Sequence, residues 1–152
     1  MPEENVIAQQ FCTFYLNGLF FGVEVEKVQE VIRYQAMTRV PRAAEVIGGL
    51  INLRGQIVTA IDLRKRLDME SRPADRKPMN VVVRTDDGAV SLLVDEIGDV
   101  VEVSPGTFEA PPETLLGAAR RMTCGVYKLD GQLLHAVDLD AVLQIDGTRQ
   151  VN

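Results

Sequence analysis

The sequence repeats itself. Residues 55–67, GQIVTAIDLRKRL, return as residues 131–143, GQLLHAVDLDAVL, with Gly, Gln, Ala, Asp, Leu and the final Leu coinciding at an offset of 76. A second echo lies upstream of each: VEKVQEV at 25–31 lines up with VDEIGDV at 94–100, at an offset of 69. Each half also opens on a hairpin signal, Leu16-Asn17-Gly18 in the first and Asp86-Asp87-Gly88 in the second. A period near 70 exceeds the ~20–50 residues of solenoid repeats. It implies a duplicated β-rich unit folded as two small subdomains packed together. The halves are charged differently, since Arg54-Gly55 stands at a turn where the second half has Asp130-Gly131.

The local signals are mostly those of short strands. Segments 11–16 and 19–25 form a hairpin closed by Asn17-Gly18. Segment 26–32 reads as a short helix with Val28, Val31 and Ile32 on one face. Segment 38–41 is an edge or connection, because Pro41 has no amide to donate to a ladder. Residues 43–47 read as one helical turn leading into Gly48-Gly49. Two strands of 49–61 then meet at Arg54-Gly55, and Asp62 caps a short helix over 63–67. The polar stretch 68–78, with two prolines, separates the repeats. Segments 79–85 and 89–94 form a second hairpin, 97–103 a strand, 107–116 a loop, and 122–129 with 132–137 a third hairpin. Asp138 caps a terminal helix reaching about Ile145. Residues 1–8 read as a mobile tail. Long crossovers are mostly missing, so small antiparallel barrels are expected rather than a parallel α/β sheet.

Composition narrows the function classes. At 152 residues, 46% apolar and 25% charged, the chain is an ordinary globular protein. No apolar run approaches the ~18 residues of a membrane span. The start lacks the basic and apolar segments of a secretory signal, so a cytoplasmic protein is expected. Cys12 and Cys124 read as buried free thiols. The net charge of −6 argues against nucleic acid as the main partner. That charge is uneven: residues 33–84 carry 11 Lys/Arg against 5 Asp/Glu, and the rest carry 5 against 17. A basic middle between acidic flanks fits docking to charged protein surfaces, or a solvated surface with no binding role.

No active site emerges. The single histidine, His135, lies in an apolar strand where the first repeat has Thr59, and reads as structural. Pairing of Cys124 with His135 on adjacent strands is more often core than catalytic. Two distant cysteines and one histidine do not make a metal site. Gly48-Gly49 lacks the lysine or third glycine of a phosphate cradle. Asp62 and Asp138 are helix caps rather than a catalytic pair. No enzyme, cofactor or metal is expected. What remains is surface for partners. Val28 and Val31, with Glu30 between them, match Ile97 and Val100 in the second half. These pairs are either core packing or the lining of a groove between subdomains that accepts an amphipathic helix. Arg54 is either a solubilising residue or an interface anchor.

The motif set resembles the CheW family of chemotaxis coupling proteins. NLRG at 52–55 followed by IVTAIDLR at 57–64 is similar to that family's central signature. VEKVQEVI at 25–32, RVP at 39–41, VDEIGDVVEV at 94–103 and VDLDAVL at 137–143 also fit, and the likeness runs from about Phe11 to Ile145. Departures are Ala43 or Ala44 and Thr59, where many members have proline, and Ser91, where a glycine is common.

The resemblance implies a mainly β fold: two SH3-like five-stranded antiparallel barrels packed together, with a few short helices. One CheW-like domain over 11–145 is expected, with subdomains of about 16–78 and 79–137, chain ends packing across, and flexible tails at 1–8 and 146–152. It implies a non-enzymatic adaptor. Its partners would be the cytoplasmic tip of chemoreceptors and the regulatory domain of a CheA-type histidine kinase, in the cytoplasm at membrane-associated receptor arrays, without membrane insertion. Receptor contact carries over to Val28, Glu30, Val31, Arg54, Ile97 and Val100. Kinase contact carries over to Arg39, Val40, Pro41, Gly48 and Gly49 at one end, and to Pro112 and Glu113 at the other. The alternative is a CheW-like regulatory domain of a larger or specialised non-flagellar signalling system.

Overall fold

The computed structural model describes residues 9–145, so the expected tails 1–8 and 146–152 lie outside the described residues. Eleven strands and three short helices follow in the order β1 (Gln9–Leu16), β2 (Leu19–Glu24), β3 (Val28–Ile32), β4 (Ile47–Leu53), β5 (Gln56–Asp62), α1 (Leu63–Arg66), β6 (Met79–Thr85), β7 (Gly88–Val94), β8 (Glu96–Val103), β9 (Phe108–Glu109), α2 (Gly117–Arg121), β10 (Thr123–Leu129), β11 (Gln132–Val137) and α3 (Leu139–Leu143). The fold is mainly β and forms two sheets, ordered β8-β1-β2-β11-β10-β9 and β3-β6-β7-β5-β4.

These sheets are not the two sequence repeats. The β1–β2 hairpin of the first repeat lies in the sheet that the second repeat builds. The β6–β7 hairpin of the second lies in the sheet of the first. Strand pairs β3–β6 and β5–β7 therefore cross residue 78, the expected subdomain boundary. The exchange creates one parallel pair per sheet, β2–β11 and β5–β7, and the two-residue β9 adds a sixth strand to one sheet. An all-antiparallel pair of five-stranded units was expected. The exchanged hairpins supply the long connections that parallel pairing needs.

Three apolar clusters hold the molecule together. Phe11, Phe20, Tyr127 and Leu134 fill the six-stranded sheet's own core. Ile51, Leu53, Val58, Val82 and Leu93 fill that of the five-stranded sheet. The third lies between the sheets and draws on both, with Phe14, Phe21, Ile61, Leu63, Val81 and Leu92 among its members. The exchanged strands alternate between clusters, as the period-two geometry of a strand demands: Val82 faces its sheet's core while Val81 and Val83 face the shared one.

Local chemistry explains most elements. Asn17 (φ 49°) and Gly18 (φ 81°) are both left-handed, the pattern of a two-residue type I′ turn. Asp62 accepts the Lys65 amide and Asp138 the Ala141 amide, capping α1 and α3 as expected. Three expectations fail. Segment 26–32 is not a helix but a 3-10 turn over Val25–Lys27 followed by strand β3. Val28 and Ile32 are four apart, a spacing that suits a helical face, but pairing with β6 makes the segment a bulged strand that turns the two side chains to different clusters. Residues 43–47 form turns rather than a helical turn. The 107–116 loop contains β9, and helix α2, unforeseen, follows it.

Candidate functional site

The first turn of interest is Arg54-Gly55, between β4 and β5. Both residues are left-handed, at φ 51° and 88°. Glycine takes this conformation freely, whereas a non-glycine residue does so at a steric cost. The Gly55 amide donates to Asn52 Oδ1 at 2.8 Å, bracing the turn. Arg54 then reaches across to β3, where Nη1 and Nη2 donate to Glu30 Oε2 and Oε1 at 2.8 and 2.5 Å. A forked guanidinium on a carboxylate fixes the plane of the arginine as well as its position. Its side chain nevertheless remains 73% exposed. The Arg54 hydrogen bonds hold the Glu30 carboxyl below the usual range, and Glu30 raises Arg54 in return. β3 and β4 are the two outer strands of their sheet, so this pair links its opposite margins.

The expected receptor-binding residues divide by exposure. On β3, Val28 rests half-buried against the shared core. Val31 is 42% exposed, and the bulge between Val28 and Glu30 offsets the odd spacing, so that Val28 and Val31, opposite Val83 and Val81, share one face of the sheet. On β8, the margin of the other sheet, Ile97 packs half-buried against the same core and Val100 is 57% exposed. Val28 and Ile97 thus both touch the apolar layer between the sheets, one from each margin. The structure joins Glu30 to Arg54 directly. Exposed Ile57, opposite Asn52 beside the Arg54 turn, stands next to buried Val58, and such an apolar pair after a turn reads as core.

The first kinase-side group is also drawn together. Thr38 and Leu50 exchange two backbone hydrogen bonds of 2.8 Å, which sets Thr38 beside β4. Gly49 permits the approach: its φ is 153°, and a Cβ there would stand 2.8 Å from the Thr38 carbonyl oxygen. Thr38, the residue before Arg39, Val40 and Pro41, therefore lies against Gly49. Pro112 and Glu113 lie in the other half, between β9 and α2, where the Pro112 carbonyl accepts from Arg120 Nη1 at 2.7 Å. That position is the counterpart of the first. Leu50 and Val126 are one repeat apart, and Val126 pairs with Glu109 of β9 as Leu50 pairs with Thr38.

A buried charge network went unread in the sequence. Asp95 accepts from Arg64 Nε and Nη2 at 2.9 and 2.6 Å, from Arg72 Nε at 2.9 Å and from the Asn17 amide at 2.8 Å. The side chains of Arg64, Asp95 and Arg72 are only 9%, 11% and 8% exposed. Burial alone would raise the Asp95 carboxyl. The hydrogen bonds from Arg64, Asn17 and Arg72 outweigh it and hold the group below its ordinary value. A usable signal was present: Arg64 occupies the repeat position where the second half has Asp140. A third arginine, Arg66, clasps the carbonyls of Ala141, Val142 and Gln144 at the end of α3.

The groups considered for chemistry have structural occupations. His135 is buried, and because a carbonyl only accepts, its Nδ1 donates to Phe20 O at 2.7 Å. Cys12 is half-buried and Cys124 exposed. Buried thiols were expected; Cys124 turns outward because it is the extra residue of a bulge between Thr123 and Gly125. Burial raises both thiols, Cys124 further through Asp138, so they stay protonated near neutral pH. Among the described residues no three His, Cys, Asp or Glu side chains gather to hold a metal ion. Among them, too, no helix is long and apolar enough to cross a membrane.

Known proteins share this fold. The model of the CheW-like domain family matches residues 10–147. The chain is 30% identical over 149 residues to the chemotaxis protein CheW of Bacillus subtilis, covering 98% of this chain and 96% of that protein. It is 29% identical to the chemotaxis protein CheW of Klebsiella aerogenes, covering 91% of this chain and 84% of that one. Among solved structures, the scaffolding protein TtCheW of Thermoanaerobacter tengcongensis superimposes with a TM-score of 0.81 at 25% identity, over 93% of this chain and 97% of that one.

Proposed function

The chain belongs to the CheW-like domain family, and from that premise we propose that it is a non-enzymatic adaptor coupling the cytoplasmic tips of chemoreceptors to the regulatory domain of a CheA-type histidine kinase. It works in the cytoplasm and is recruited to membrane-associated receptor arrays through its partners. The observation that carries this reading is Arg54, braced in a left-handed turn and held in plane by Glu30, yet exposed to solvent. Strain maintained at an exposed charged residue points to use rather than stability. The receptor surface is Arg54 and Glu30 with Val28 and Val31 of β3 and Ile97 and Val100 of β8. The paired margins of the two sheets suit an amphipathic helix, with apolar contacts along the shared core and a charged stop at Arg54.

The kinase docks at the ends, on Arg39, Val40, Pro41, Gly48 and Gly49 and, on the other half, on Pro112 and Glu113. The mechanism is scaffolding: separate surfaces hold receptor and kinase in fixed geometry, so that a change in the receptor biases the kinase. Weak contacts suffice in an array because each bound neighbour raises the effective concentration of the next. The test is capture from the native cell lysate by tagged wild-type and Arg54→Glu protein, read by mass spectrometry. Wild type should retain a chemoreceptor and a CheA-type kinase, and the variant should lose the receptor alone. Capture of neither partner by wild type would overturn the reading.

A further inference from the structure

Within residues 9–145 the chain passes between the two sheets at two places, from β2 to β3 through Val25–Lys27 and from β7 to β8 through Asp95. The 69-residue echo makes these crossovers counterparts, with Glu26 in the position of Asp95. They are built very differently. At the second, the buried Asp95 carboxylate gathers Arg64, Arg72 and the Asn17 amide, while its own amide donates to Tyr15 O at 3.0 Å. One residue thus joins the β1–β2 hairpin of one sheet to α1 and the connector of the other. At the first, Glu26 is exposed, and Lys27 pairs with Glu24 at 3.2 Å at the surface. The backbone there is held from outside by Arg84, which donates to the Glu26 and Val28 carbonyls at 3.2 and 3.1 Å. Arg64 has Asp140 as its counterpart, so the arginine that grips Asp95 has no equivalent at the repeat position beside Glu26.

We propose that Asp95 is the positioning residue of the groove: it makes the β7–β8 crossover the fixed one, so that the sheets adjust to a bound partner at Val25–Lys27. The β8 margin, with Ile97 and Val100, is then the stationary lip, and the β3 margin, with Val28 and Val31, the lip that moves. The physical basis is the cost of disturbing each side. Moving Asp95 strands two guanidinium groups in a buried place, where an unpaired charge is strongly unfavourable. Moving Glu26 exchanges surface contacts for water. Only the functional meaning of the lips rests on the receptor reading; the difference between the crossovers is a property of the free protein.

The experiment is residue-resolved hydrogen exchange on the full chain without partners. The Asn17 and Asp95 amides should exchange at least about tenfold more slowly than the Val28 amide, which closes the 3-10 turn on Val25 O. Asp95→Asn should accelerate Asn17 and the start of β8 by a larger factor than Val58 and Leu93, which follow the loss of global stability alone. Arg84→Gln should accelerate Val28 alone. A residue that only stabilises the fold would accelerate every core amide by one factor, and that result, or equal protection at the two crossovers, would overturn the proposal. If Asp95→Asn does not fold, the wild-type comparison and Arg72→Gln, which leaves Arg64 on Asp95, decide it by the same pattern. Receptor capture by Arg54→Glu tests the groove reading separately, since that substitution should leave exchange at Asn17 and Asp95 unchanged.

Discussion

The Arg54-Gly55 and Asp130-Gly131 turns descend from one pattern and have diverged in everything except their frame. Both close a hairpin, and both hairpins run into a helix capped by aspartate, Asp62 in one and Asp138 in the other. Val58 and Ala60 are buried in the first hairpin, Leu134 and Ala136 in the second. The surface differs throughout. Arg54 is left-handed and reaches Glu30, whereas at the second turn Gly131 alone is left-handed. Arg64 and Arg66 make buried or carbonyl-clasping bonds where the second half has Asp140 and Val142. The repeated residues are those that fold the unit. The unrepeated charges make the halves differ at their surfaces and in how firmly their segments are tied.

The largest effect should come from removing the most unequal element. Asp95→Asn keeps an acceptor for Asn17 but leaves Arg64 and Arg72 without a counter-charge, and should lower stability by about 3–5 kcal/mol in chemical denaturation. Glu26→Gln, its exposed counterpart, should leave the denaturation midpoint in place. Similar losses at both positions would erase the contrast between the crossovers. Acid should act through the same group. Asp95 is held below its ordinary value in the fold, so its contribution is present above about pH 4 and is lost as pH falls through the lower folded value. Stability measured from pH 6 to pH 2 should therefore drop below about pH 4 in wild type, with a shallower slope in Asp95→Asn.

The glycine twins, Gly49 and Gly125, test how far the frame is truly shared. Each lets a neighbouring segment cross close by: a Cβ at Gly49 would meet Thr38 O at 2.8 Å, and one at Gly125 would meet Glu109 O at 2.6 Å. Alanine at either should lower stability by about 1–3 kcal/mol. Loss at one and not the other would mean that the two ends are not equivalent. A smaller contrast is His135 against Thr59. His135→Thr gives the second strand its twin's residue and removes the bond to Phe20 O, at a cost of about 1–3 kcal/mol by thermal or chemical melting.

These comparisons also mark what could be read from the chain. Hairpin closure at Asn17-Gly18 and Arg54-Gly55 and capping by Asp62 and Asp138 are local chemistry, so short motifs reveal them. The internal repeat supplied the two-unit plan, and the family likeness agreed with it. The exchange of hairpins between repeats escaped, because a hairpin signal says nothing about which sheet receives the hairpin. Segment 26–32 reads as a helix because Val28, Val31 and Ile32 have helical spacing, and the deciding partner, β6, lies some 50 residues on. The Asp95 network escaped because its arginines stand 31 and 23 residues away and motifs do not register distant charge pairs. Arg54 was visible as an isolated charge at a turn, while its bond to Glu30 needed the fold.

The most direct test of unequal chemistry on a duplicated frame is a reciprocal pair of substitutions at the twin turns. Tagged wild type, Arg54→Asp and Asp130→Arg would be compared for receptor and kinase capture from the native lysate, after checking that all three melt together. Arg54→Asp should lose the chemoreceptor and keep the kinase, while Asp130→Arg keeps both. Equal loss in the two variants, or undiminished receptor capture by Arg54→Asp, would contradict the account.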